Sequence, residues 1–569
     1  MSTTKQHGEP VTTTSADITA ERLAQLQQLF PEAFSEGRVD FDKLRAALGD
    51  WVDDRPERYQ FTWAGKKDAI RLLQTPTSAT LVPVEDESVN WNTTQNLFIE
   101  GDNLEVLKLL YKSYFGRVKM IYIDPPYNTG NDFIYPDDFR DPLAAYERLT
   151  GDRTDEGDLT TSNRDTGGRF HSAWLTMMYP RLFLARQLLR DNGVIFVSIA
   201  DHEVHNLRLL MNEIFGEENY LATFVWVNEG NIDNQSRIKR NHEYVVVYAK
   251  YESLVGHPNV IDPNISETSK LHNPYIENTI VKNGPKNPAS SVDLPVGFPA
   301  GFEEGVIEPK EDFWPQISRT VIVKNYITQN RVTVTSGWSS KQIFENFINN
   351  GFRPVIDTKG QETTFFISDT GAIINRKKRL EGQSHVLTVL KSKGTVQGES
   401  ARLSELGIEF DYPKPSDLLK YLAQVGGGQD SVFIDFFAGS CPLSQAVLEL
   451  NREDNGNRRF IMVQLPEPTG DKDFPTIADI GKERIRRVIA KMQAEDAGKL
   501  DLNPEEDLGF KVFKLAASHL KPWSGTAQPT PDEYNAQMAL FTDPLQPGWT
   551  VDGIIYEVAL KAGYSLNSQ

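Results

Sequence analysis

The sequence predicts an α/β fold in which a mostly parallel sheet is interrupted by an inserted domain. Short apolar runs alternate with helix-length amphipathic stretches from Leu97 to Ala249, a pattern typical of a parallel sheet covered on both faces. The alternation fails between Lys250 and Arg402, where prolines, asparagines and short β-like runs predominate, and it returns at Ser416. One fold split around an insertion accounts for both observations.

The composition excludes several classes of protein. A chain of 569 residues, 39% of them hydrophobic, is long enough for about three to four domains. The lone Cys441 excludes an internal disulfide and a cysteine-rich zinc cluster, and the histidines lack metal-ligand spacing, so we expect no metal. Neither an apolar N-terminal segment nor a run of about 18 apolar residues occurs, which favours a cytoplasmic location. The net charge of −19 argues against a protein that coats nucleic acid non-specifically.

The first half of the chain is expected to hold a small N-terminal module and the first segment of the core. Residues 1–95 form the module, with helices from Ile18 to Phe30 and from Phe41 to Leu48. Residues 96–250 form the first core segment. Its predicted elements are a strand Leu97–Glu100, a helix Leu104–Tyr111, a strand Val118–Ile123, a helix Trp174–Arg190 closed by a turn at Asp191–Gly193, a strand Val194–Ile199, a helix His205–Phe215, and β-rich runs Leu221–Val227 and Tyr244–Ala249.

The second half is expected to contain the insertion, the rest of the core and a tail. Residues 251–402 form the insertion, 403–500 the second core segment, and 501–569 the C-terminal tail. The insertion has β-like runs at Val332–Thr335 and Thr363–Ile367 and a helix near Gln342–Asn349. The second core segment is predicted to contain a helix Ser416–Gln424, a strand Val432–Ile434, a helix Leu443–Leu450, a strand Phe460–Leu465 and a basic helix Lys482–Met492.

The first candidate site is Asp124-Pro125-Pro126-Tyr127, directly after the predicted strand Val118–Ile123. Ligands of α/β sheets bind at the carboxyl ends of strands. The two prolines keep the loop extended and leave carbonyl groups that no helix uses. Asp124 and the Pro125 carbonyl can accept hydrogen bonds from an exocyclic amine, and Tyr127 offers a stacking face to a planar base. The motif therefore indicates a pocket for a nucleobase amine; the alternative is a proline-rich turn in which Tyr127 only packs.

The second candidate site is the turn Asp435–Ser440, between a predicted strand and a predicted helix. Gly439 permits a tight turn, Ser440 can cap the helix, and Pro442 is tolerated in the first helical turn. A helix start favours a carboxylate, such as that of a bound amino acid. No Gly-x-Gly-x-x-Gly or Walker lysine is present, so the turn does not indicate a phosphate site. Taken alone, it favours an ordinary strand-turn-helix corner.

Together the two motifs resemble those of amino-methylating DNA methyltransferases that use S-adenosylmethionine, with the catalytic motif first as in the permuted β class of DNA adenine methyltransferases. More closely, the chain resembles the Mod subunits of type III restriction-modification systems, from about Arg58 to Lys561. The matching segments are Gly101–Leu104, Asp124–Tyr135, Trp174–Ile199, Tyr412–Pro415, Arg458–Pro468 and Gly509–Ser518. Similar proteins continue beyond the equivalent of Gln569, so a shortened tail is expected.

The resemblance implies a Rossmann-like S-adenosylmethionine-dependent methyltransferase fold in permuted motif order, with an inserted α+β target-recognition domain. It assigns the catalytic role to Asp124, Pro125, Pro126 and Tyr127, which would hold the target adenine. The cofactor-binding residues that it implies are Asp102, Asn103, Lys414, Pro415, Asp435, Phe437, Ala438, Gly439, Ser440 and Gln464. Two departures affect cofactor affinity: Cys441-Pro442-Leu443-Ser444 stands where the family often has Gly-Thr-Thr, and Gln464 where many methyltransferases have an acidic residue.

Two basic clusters are candidate DNA contacts. One contains Arg237, Lys239 and Arg240, and the other contains Arg376, Lys377, Lys378 and Arg379. Such clusters are often only solvated faces, but the first motif already indicates a nucleobase. The expected activity is site-specific N6-adenine methylation of double-stranded DNA by base flipping, by a homodimer that can pair with a restriction (Res) subunit. The alternatives are a cytosine-4-amino methyltransferase and a non-catalytic DNA-specificity subunit.

Overall fold

The computed structural model describes residues 17–35, 38–48, 60–129, 166–228, 237–258, 260, 262, 264–266, 268–269, 273–358, 360–378, 385–496, 506–521 and 544–568. Its internal contacts divide the chain into two compact units. Unit 1 comprises Met1–Gly256 and Leu387–Gln569, and unit 2 comprises His257–Val386.

The helices and strands are numbered here in chain order over the described residues. The helices are α1 Ile18–Leu29, α2 Phe41–Leu48, α3 Lys66–Gln74, α4 Asn103–Tyr114, α5 Thr166–Leu188, α6 Val204–Phe215, α7 Lys341–Asn349, α8 Val396–Glu405, α9 Ser416–Gly426, α10 Pro442–Asp454, α11 Ile477–Asp496 and α12 Val551–Ala562. The strands are β1 Phe34–Ser35, β2 Arg38–Val39, β3 Ala79–Pro83, β4 Leu97–Glu100, β5 Val118–Ile123, β6 Leu189–Ile199, β7 Tyr220–Val227, β8 His242–Ala249, β9 Tyr275–Thr279, β10 Ser290–Leu294, β11 Glu304–Ile307, β12 Gln316–Ile317, β13 Val321–Lys324, β14 Ile327–Thr328, β15 Val332–Ser336, β16 Val355–Ile356, β17 Glu362–Ile367, β18 Ile373–Lys378, β19 Val389–Leu390, β20 Val432–Asp435, β21 Arg459–Gln464 and β22 Lys511–Ala517.

Unit 1 is built on one twisted sheet with the strand order β19-β7-β8-β6-β5-β20-β21-β4-β22-β3. Six neighbouring strands run parallel, in the order β6-β5-β20-β21-β4-β22. The strand β8 is antiparallel to both of its neighbours, β6 and β7. The arrangement is the Rossmann-like α/β fold that the sequence predicts. The strand β20 lies between β5 and β21 and runs parallel to both. The two candidate motifs therefore follow adjacent parallel strands and meet at the carboxyl ends of those strands.

The central strands are apolar on both faces because helices cover both sides of the sheet. Five of the six residues of β5 are buried, as are the first three of β4. Each such side chain contributes about 1.5–3 kcal/mol when it is fully buried. Helices α4 and α5 pack against each other and contribute to the same apolar core. The core therefore fixes the strand ends that carry the site.

Two strands of the sheet come from the segments predicted to form the N-terminal module and the C-terminal tail. The strand β3 pairs antiparallel with β22, and β22 pairs parallel with β4. Helix α12 packs against β3 and α4. Residues far apart in the chain thus complete one edge of the sheet.

The turn expected at Asp191–Gly193 is instead part of β6. Residue Val118 pairs with Leu189, but Met120 pairs with Val194, so the register shifts and the intervening residues form a bulge. A Cβ atom at Gly193 would lie 2.8 Å from the carbonyl oxygen of Arg190, so only glycine fits the close backbone approach. The predicted turn residues therefore allow a bulge within the strand.

Unit 2 contains three small antiparallel sheets and the helix α7. Their strand orders are β10-β15-β12, β11-β13-β14 and β16-β17-β18-β9. The core of this unit is rich in aromatic residues, including Phe298, Phe344, Phe347 and Phe365. This mixed structure agrees with the break in the α/β pattern. None of the helices in the described parts of either unit has the length and apolar character needed to cross a membrane.

Candidate functional site

Asp124 follows the last residue of β5 and presents its two carboxylate oxygens in different environments. The Oδ2 atom lies 3.0 Å from Lys414 Nζ, whereas Oδ1 is buried and has no hydrogen-bond partner among the described residues. Burial raises the pKa of Asp124, Lys414 lowers it and the charge of Glu243 raises it, with a net rise. One oxygen of this carboxylate is thus a free acceptor.

Lys414 lies between two carboxylates. Its ammonium group is 3.0 Å from Asp124 Oδ2 and 3.1 Å from Glu243 Oε2, and its side chain is only 7% exposed. Burial alone would lower the pKa of Lys414, but the charges of Asp124 and Glu243 outweigh it and raise the pKa. The residue expected on the cofactor side therefore contacts the carboxylate of the first candidate site directly.

Tyr127 is held by contacts to its hydroxyl and to its ring. The hydroxyl donates a hydrogen bond of 2.9 Å to Glu243 Oε2, and Lys414 Nζ lies 4.8 Å from the ring centroid. Burial, followed by the charges of Asp124 and Glu243, raises the pKa of Tyr127 well above its usual value. The phenol therefore stays protonated and acts as a donor.

The rest of the loop after β5 is fixed by α5 and by a buried carboxylate. Trp174 Nε1 donates to the Pro126 carbonyl at 2.7 Å, while no described residue donates to the carbonyl of Pro125. Asn128 adopts a left-handed conformation, with φ of 56°, and its amide donates to the fully buried Glu203 at 2.5 Å. The loop is thus held on both sides of Tyr127.

The turn after β20 buries a second carboxylate. Asp435 accepts a hydrogen bond of 3.0 Å from the backbone N–H of Phe437. Burial raises the pKa of Asp435 well above its usual value; the Phe437 N–H lowers it, and the charge of Asp124 raises it further. Gly439 has φ of 52°, and its N–H donates to Gln464 Oε1 at 2.7 Å. The neighbouring Ala438 is buried, and its N–H donates to the Val463 carbonyl at 3.2 Å.

Ser440 does not cap the following helix, contrary to the prediction from the sequence. Helix α10 begins at Pro442 after Cys441, which is left-handed with φ of 61° and makes no side-chain cap. Ser440 Oγ instead accepts a hydrogen bond of 3.0 Å from Arg484, which also pairs with Glu399. A buried guanidinium from α11 has displaced the local cap, because it offers Ser440 a charged donor.

Asp102 and Asn103 connect the end of β4 to the turn after β20. Asp102 caps α4, with its Oδ1 accepting from the N–H groups of Leu104 at 2.9 Å and Glu105 at 3.1 Å. Asn103 Nδ2 donates to the Phe436 carbonyl at 2.7 Å, and its Oδ1 accepts from the buried Arg181. These two residues therefore support the geometry of the predicted cofactor site.

Gln464 and Pro415 also lie beside the two loops. Both ends of the Gln464 amide are engaged within the protein, since Nε2 donates to the Leu465 carbonyl at 3.1 Å while Oε1 accepts from Gly439. Pro415 occupies the N-cap position of α9 directly after Lys414. Gln464 thus supports the turn after β20.

The basic residues that are candidate DNA contacts occupy different environments. Arg237, Lys239 and Arg240 are exposed, and Arg240 Nε lies 3.5 Å from Asp201.

In unit 2, Arg376 and Lys378 are exposed on β18, whereas Lys377 on the opposite face pairs with the buried Asp357. Arg376 pairs with Glu277 at 2.6 Å and lies 4.7 Å from the ring centroid of Phe366. Arg379 lies outside the described residues.

Several side chains that hold the site could not be predicted from the sequence, because their contacts are tertiary. They are Trp174, Arg181, Glu203, Glu243 and Arg484. Among these five residues, only Glu203 could have been found from the sequence. It lies in a polar run directly after β6, at the carboxyl end of a strand, as Asp124 does. No group of three His, Cys, Asp or Glu side chains in the described residues is arranged to hold a metal ion.

Comparison with known proteins gives long matches. Residues 118–485 match the sequence model of the N6/N4 DNA methylase family. The chain is 31% identical over 546 residues to the Mod subunit of the StyLTI type III restriction-modification enzyme of Salmonella typhimurium (strain LT2), covering 90% of this chain and 76% of the relative. It is 32% identical to the EcoP15I Mod subunit of Escherichia coli over 87% and 77% of the two chains. It is 31% identical to the EcoPI Mod subunit of Escherichia phage P1 over 93% and 85%.

Proposed function

Because the chain belongs to the Mod subunits of type III restriction-modification enzymes, a group of DNA methyltransferases, we propose that it methylates the 6-amino group of adenine in duplex DNA, with S-adenosylmethionine as the methyl donor. The observation that carries the proposal is the Oδ1 atom of Asp124, a buried acceptor with no hydrogen-bond partner in the described residues. The carbonyl of the next residue, Pro125, accepts from no described backbone N–H group. Two free acceptors at one strand end match the two N–H bonds of an exocyclic amine.

These acceptors address the chemical difficulty of the reaction. The lone pair of an exocyclic adenine nitrogen is delocalised into the ring, so the amine is a weak nucleophile. Hydrogen bonds from the amine to Asp124 and to the Pro125 carbonyl draw the nitrogen toward tetrahedral geometry and free its lone pair. A paired base cannot reach these groups, so the adenine leaves the duplex and stacks on Tyr127, a behaviour for which DNA methyltransferases are a standard example.

The charge of the site suits the proposed methyl donor. Burial raises the pKa of Asp435 well above its usual value, and the charge of Asp124 on the adjacent loop raises it further, so a ligand with positive charge beside Asp435 would favour the ionised form of this carboxyl group. S-adenosylmethionine carries a sulfonium and an ammonium group, and when bound it supplies an electrophilic methyl group. The turn residues Asp435, Phe437 and Gly439 would hold it, with Asn103 and Gln464 supporting the turn.

Product analysis tests the choice of base. Duplex DNA from cells without this enzyme would be methylated in vitro, hydrolysed to nucleosides and separated by mass spectrometry. We expect N6-methyladenine. The amine of cytosine needs the same two acceptors, so N4-methylcytosine as the product would replace this proposal with the N4 reaction.

Unit 2 is proposed to select the target sequence. It interrupts the methyltransferase fold, and exposed Arg376 and Lys378 lie on one face of β18, with Phe366 under the guanidinium group of Arg376. Replacing residues 257–386 with those of a relative should change the methylated sequence, read by single-molecule sequencing. A folded, active chimera with an unchanged site would exclude this role.

The active form is proposed to be a homodimer that can pair with a restriction subunit. One catalytic pocket and one recognition unit on a chain of net charge −19 leave little basic surface to hold a duplex and flip a base together. Light scattering at micromolar concentration should give twice the mass of the chain. A monomer that methylates at the full rate would exclude the dimer.

A further inference from the structure

Glu243 lies on β8 and belongs to neither of the two motifs. Its Oε2 atom accepts the Tyr127 hydroxyl at 2.9 Å and lies 3.1 Å from Lys414 Nζ. Lys414 in turn lies 3.0 Å from Asp124 Oδ2. One carboxylate on a strand of the same sheet therefore contacts both Tyr127 and Lys414, and Lys414 is the group that pairs with Asp124.

We propose that Glu243 is a positioning residue for methyl transfer, which holds Lys414 on one oxygen of Asp124 and fixes the ring of Tyr127, so that the other oxygen stays open to the target amine. The inference rests on the proposed function, because it assigns Glu243 a part in that same reaction. It concerns a residue that acts through its neighbours and does not itself touch the base.

The physical reason lies in how an ammonium group distributes its donors. Lys414 has three N–H donors, and it directs them to two carboxylates and toward the ring of Tyr127. Without the charge of Glu243, the ammonium group is attracted by Asp124 alone and can approach both of its oxygens. Such an arrangement would occupy Oδ1, the acceptor that the amine requires. Glu243 thus keeps Lys414 away from Oδ1 of Asp124. Lys414 can then stabilise this carboxylate without blocking the target amine.

The two partners have opposite electrostatic effects on Asp124. The groups that face this carboxylate are Lys414 from the segment before α9, Glu243 from β8, Tyr127 from its own loop, Tyr122 from β5 and Asp435 from the turn after β20. Besides burial, which raises the pKa of Asp124, Lys414 lowers it and Glu243 raises it. Removing one charge or the other should therefore move the titration of Asp124 in opposite directions.

The pH dependence of methyl transfer tests the inference. The variants are Glu243→Gln, which still accepts from Tyr127, and Lys414→Met, which keeps the length of the side chain. Both should lower the rate at neutral pH by about tenfold or more. The acid limb of the profile should move to lower pH in Glu243→Gln and to higher pH in Lys414→Met. Equal losses at every pH, with the limb unmoved, would mean that Glu243 only packs and would overturn the inference.

A matched control removes a buried ion pair away from the site. Glu557 and Lys561 pair on α12 and are almost fully buried. Glu557→Gln should lower the melting temperature without moving the acid limb. A shift of the limb in this variant would also overturn the inference, because the shift would then be a general effect of destabilisation.

A double-mutant cycle in thermal unfolding gives a readout that needs neither DNA nor activity. If Glu243 and Lys414 form the contact described here, the effects of Glu243→Gln and Lys414→Met on stability should be non-additive. Additive effects would overturn the inference while leaving the proposed function intact. Absence of any DNA methylation by the wild-type protein would instead overturn the proposed function, and the inference with it.

Discussion

The indole N–H of Trp174 donates a hydrogen bond of 2.7 Å to the carbonyl oxygen of Pro126. Trp174 is fully buried in α5, and Pro126 lies in the loop after β5, directly before Tyr127. Since a proline has no backbone N–H of its own, this carbonyl is the group through which the protein can hold that residue's backbone. A helix of the core thus fixes the backbone on which the target base would rest.

Substitution of Trp174 by phenylalanine should lower kcat by about tenfold, since a lost buried hydrogen bond costs about 1–3 kcal/mol. Cofactor affinity should be unchanged. The control is Trp63→Phe, which removes a bond of 2.9 Å to Thr176 on the same helix but outside the loop. It should lower the melting temperature and keep kcat within about twofold. Equal losses of kcat in both variants would contradict the role given to Trp174.

Asp124→Ala should abolish methyl transfer and leave cofactor binding largely intact, because it removes an acceptor of the target amine. Activity would be measured with radiolabelled S-adenosylmethionine and binding by calorimetry. The exposed Asp552 on α12 provides a control, and Asp552→Ala should behave like the wild type. A residual rate within about tenfold of wild type, a loss below about 1.4 kcal/mol, would refute the assignment. Failure of the wild type to bind cofactor would favour a non-catalytic specificity subunit.

Asp435→Asn should raise the melting temperature at neutral pH. Burial raises the pKa of Asp435, so the folded protein binds this proton more tightly than the unfolded chain does. The resulting stability is present below the unfolded pKa, about 3.9, and is lost as the pH rises through the folded pKa. Asparagine does not titrate, so its advantage in melting temperature should grow from acid to neutral pH.

Asp454→Asn is the control of opposite sign. Burial opposes ionisation of Asp454, but Arg458 at 2.7 Å outweighs it and lowers the pKa. This stability is present above the unfolded pKa and is lost as the pH falls through the folded pKa. The variant should therefore melt below the wild type at neutral pH, with a difference that shrinks in acid. Parallel pH dependence of the two variants would show that burial of Asp435 is not the cause.

Gly439→Ala should weaken binding of S-adenosylmethionine. Residue 439 has φ of +52°, where a side chain costs about 1–2 kcal/mol, and an added Cβ atom would meet only Phe410, at 3.8 Å. The strain would therefore distort the turn through its backbone. Gly470→Ala carries a similar strain, with φ of +80° and open space, outside the turn. Calorimetry should show weaker binding for Gly439→Ala alone; an equal loss in both would refute the local effect.

The strands and helices with strong local patterns were predictable from the sequence. The bounds of β4, β5 and α2 agree with the structure, because buried parallel strands are continuous apolar runs and amphipathic helices have a clear period. The turn expected at Asp191–Gly193 was wrong, since turn-forming residues also permit a bulge when a neighbouring strand shifts its register. Local preference does not distinguish these two outcomes.

The sequence predicts those site residues that follow a strand directly. It does not predict contacts between side chains from distant parts of the chain. The positions of Asp124 and Gly439 at adjacent strand ends follow from the topology of a parallel sheet. The cap expected from Ser440 was wrong, because Arg484 reaches it from a helix later in the chain. The contact of Lys414 with Asp124 and Glu243 likewise depends on strand order, which single-sequence patterns do not specify.

The strand order also sets a sequence of events during translation. The early strands β4 and β5 do not pair with each other; β20 and β21 lie between them, and the ribosome makes both only after the whole of unit 2. Until then, the edge of β5 that receives β20 is exposed in the nascent chain and is open to pairing with other chains. The last gap, between β4 and β3, closes when Ala517 has left the exit tunnel. A methyltransferase of this topology thus brings the loops after β5 and β20 together only late in its own synthesis.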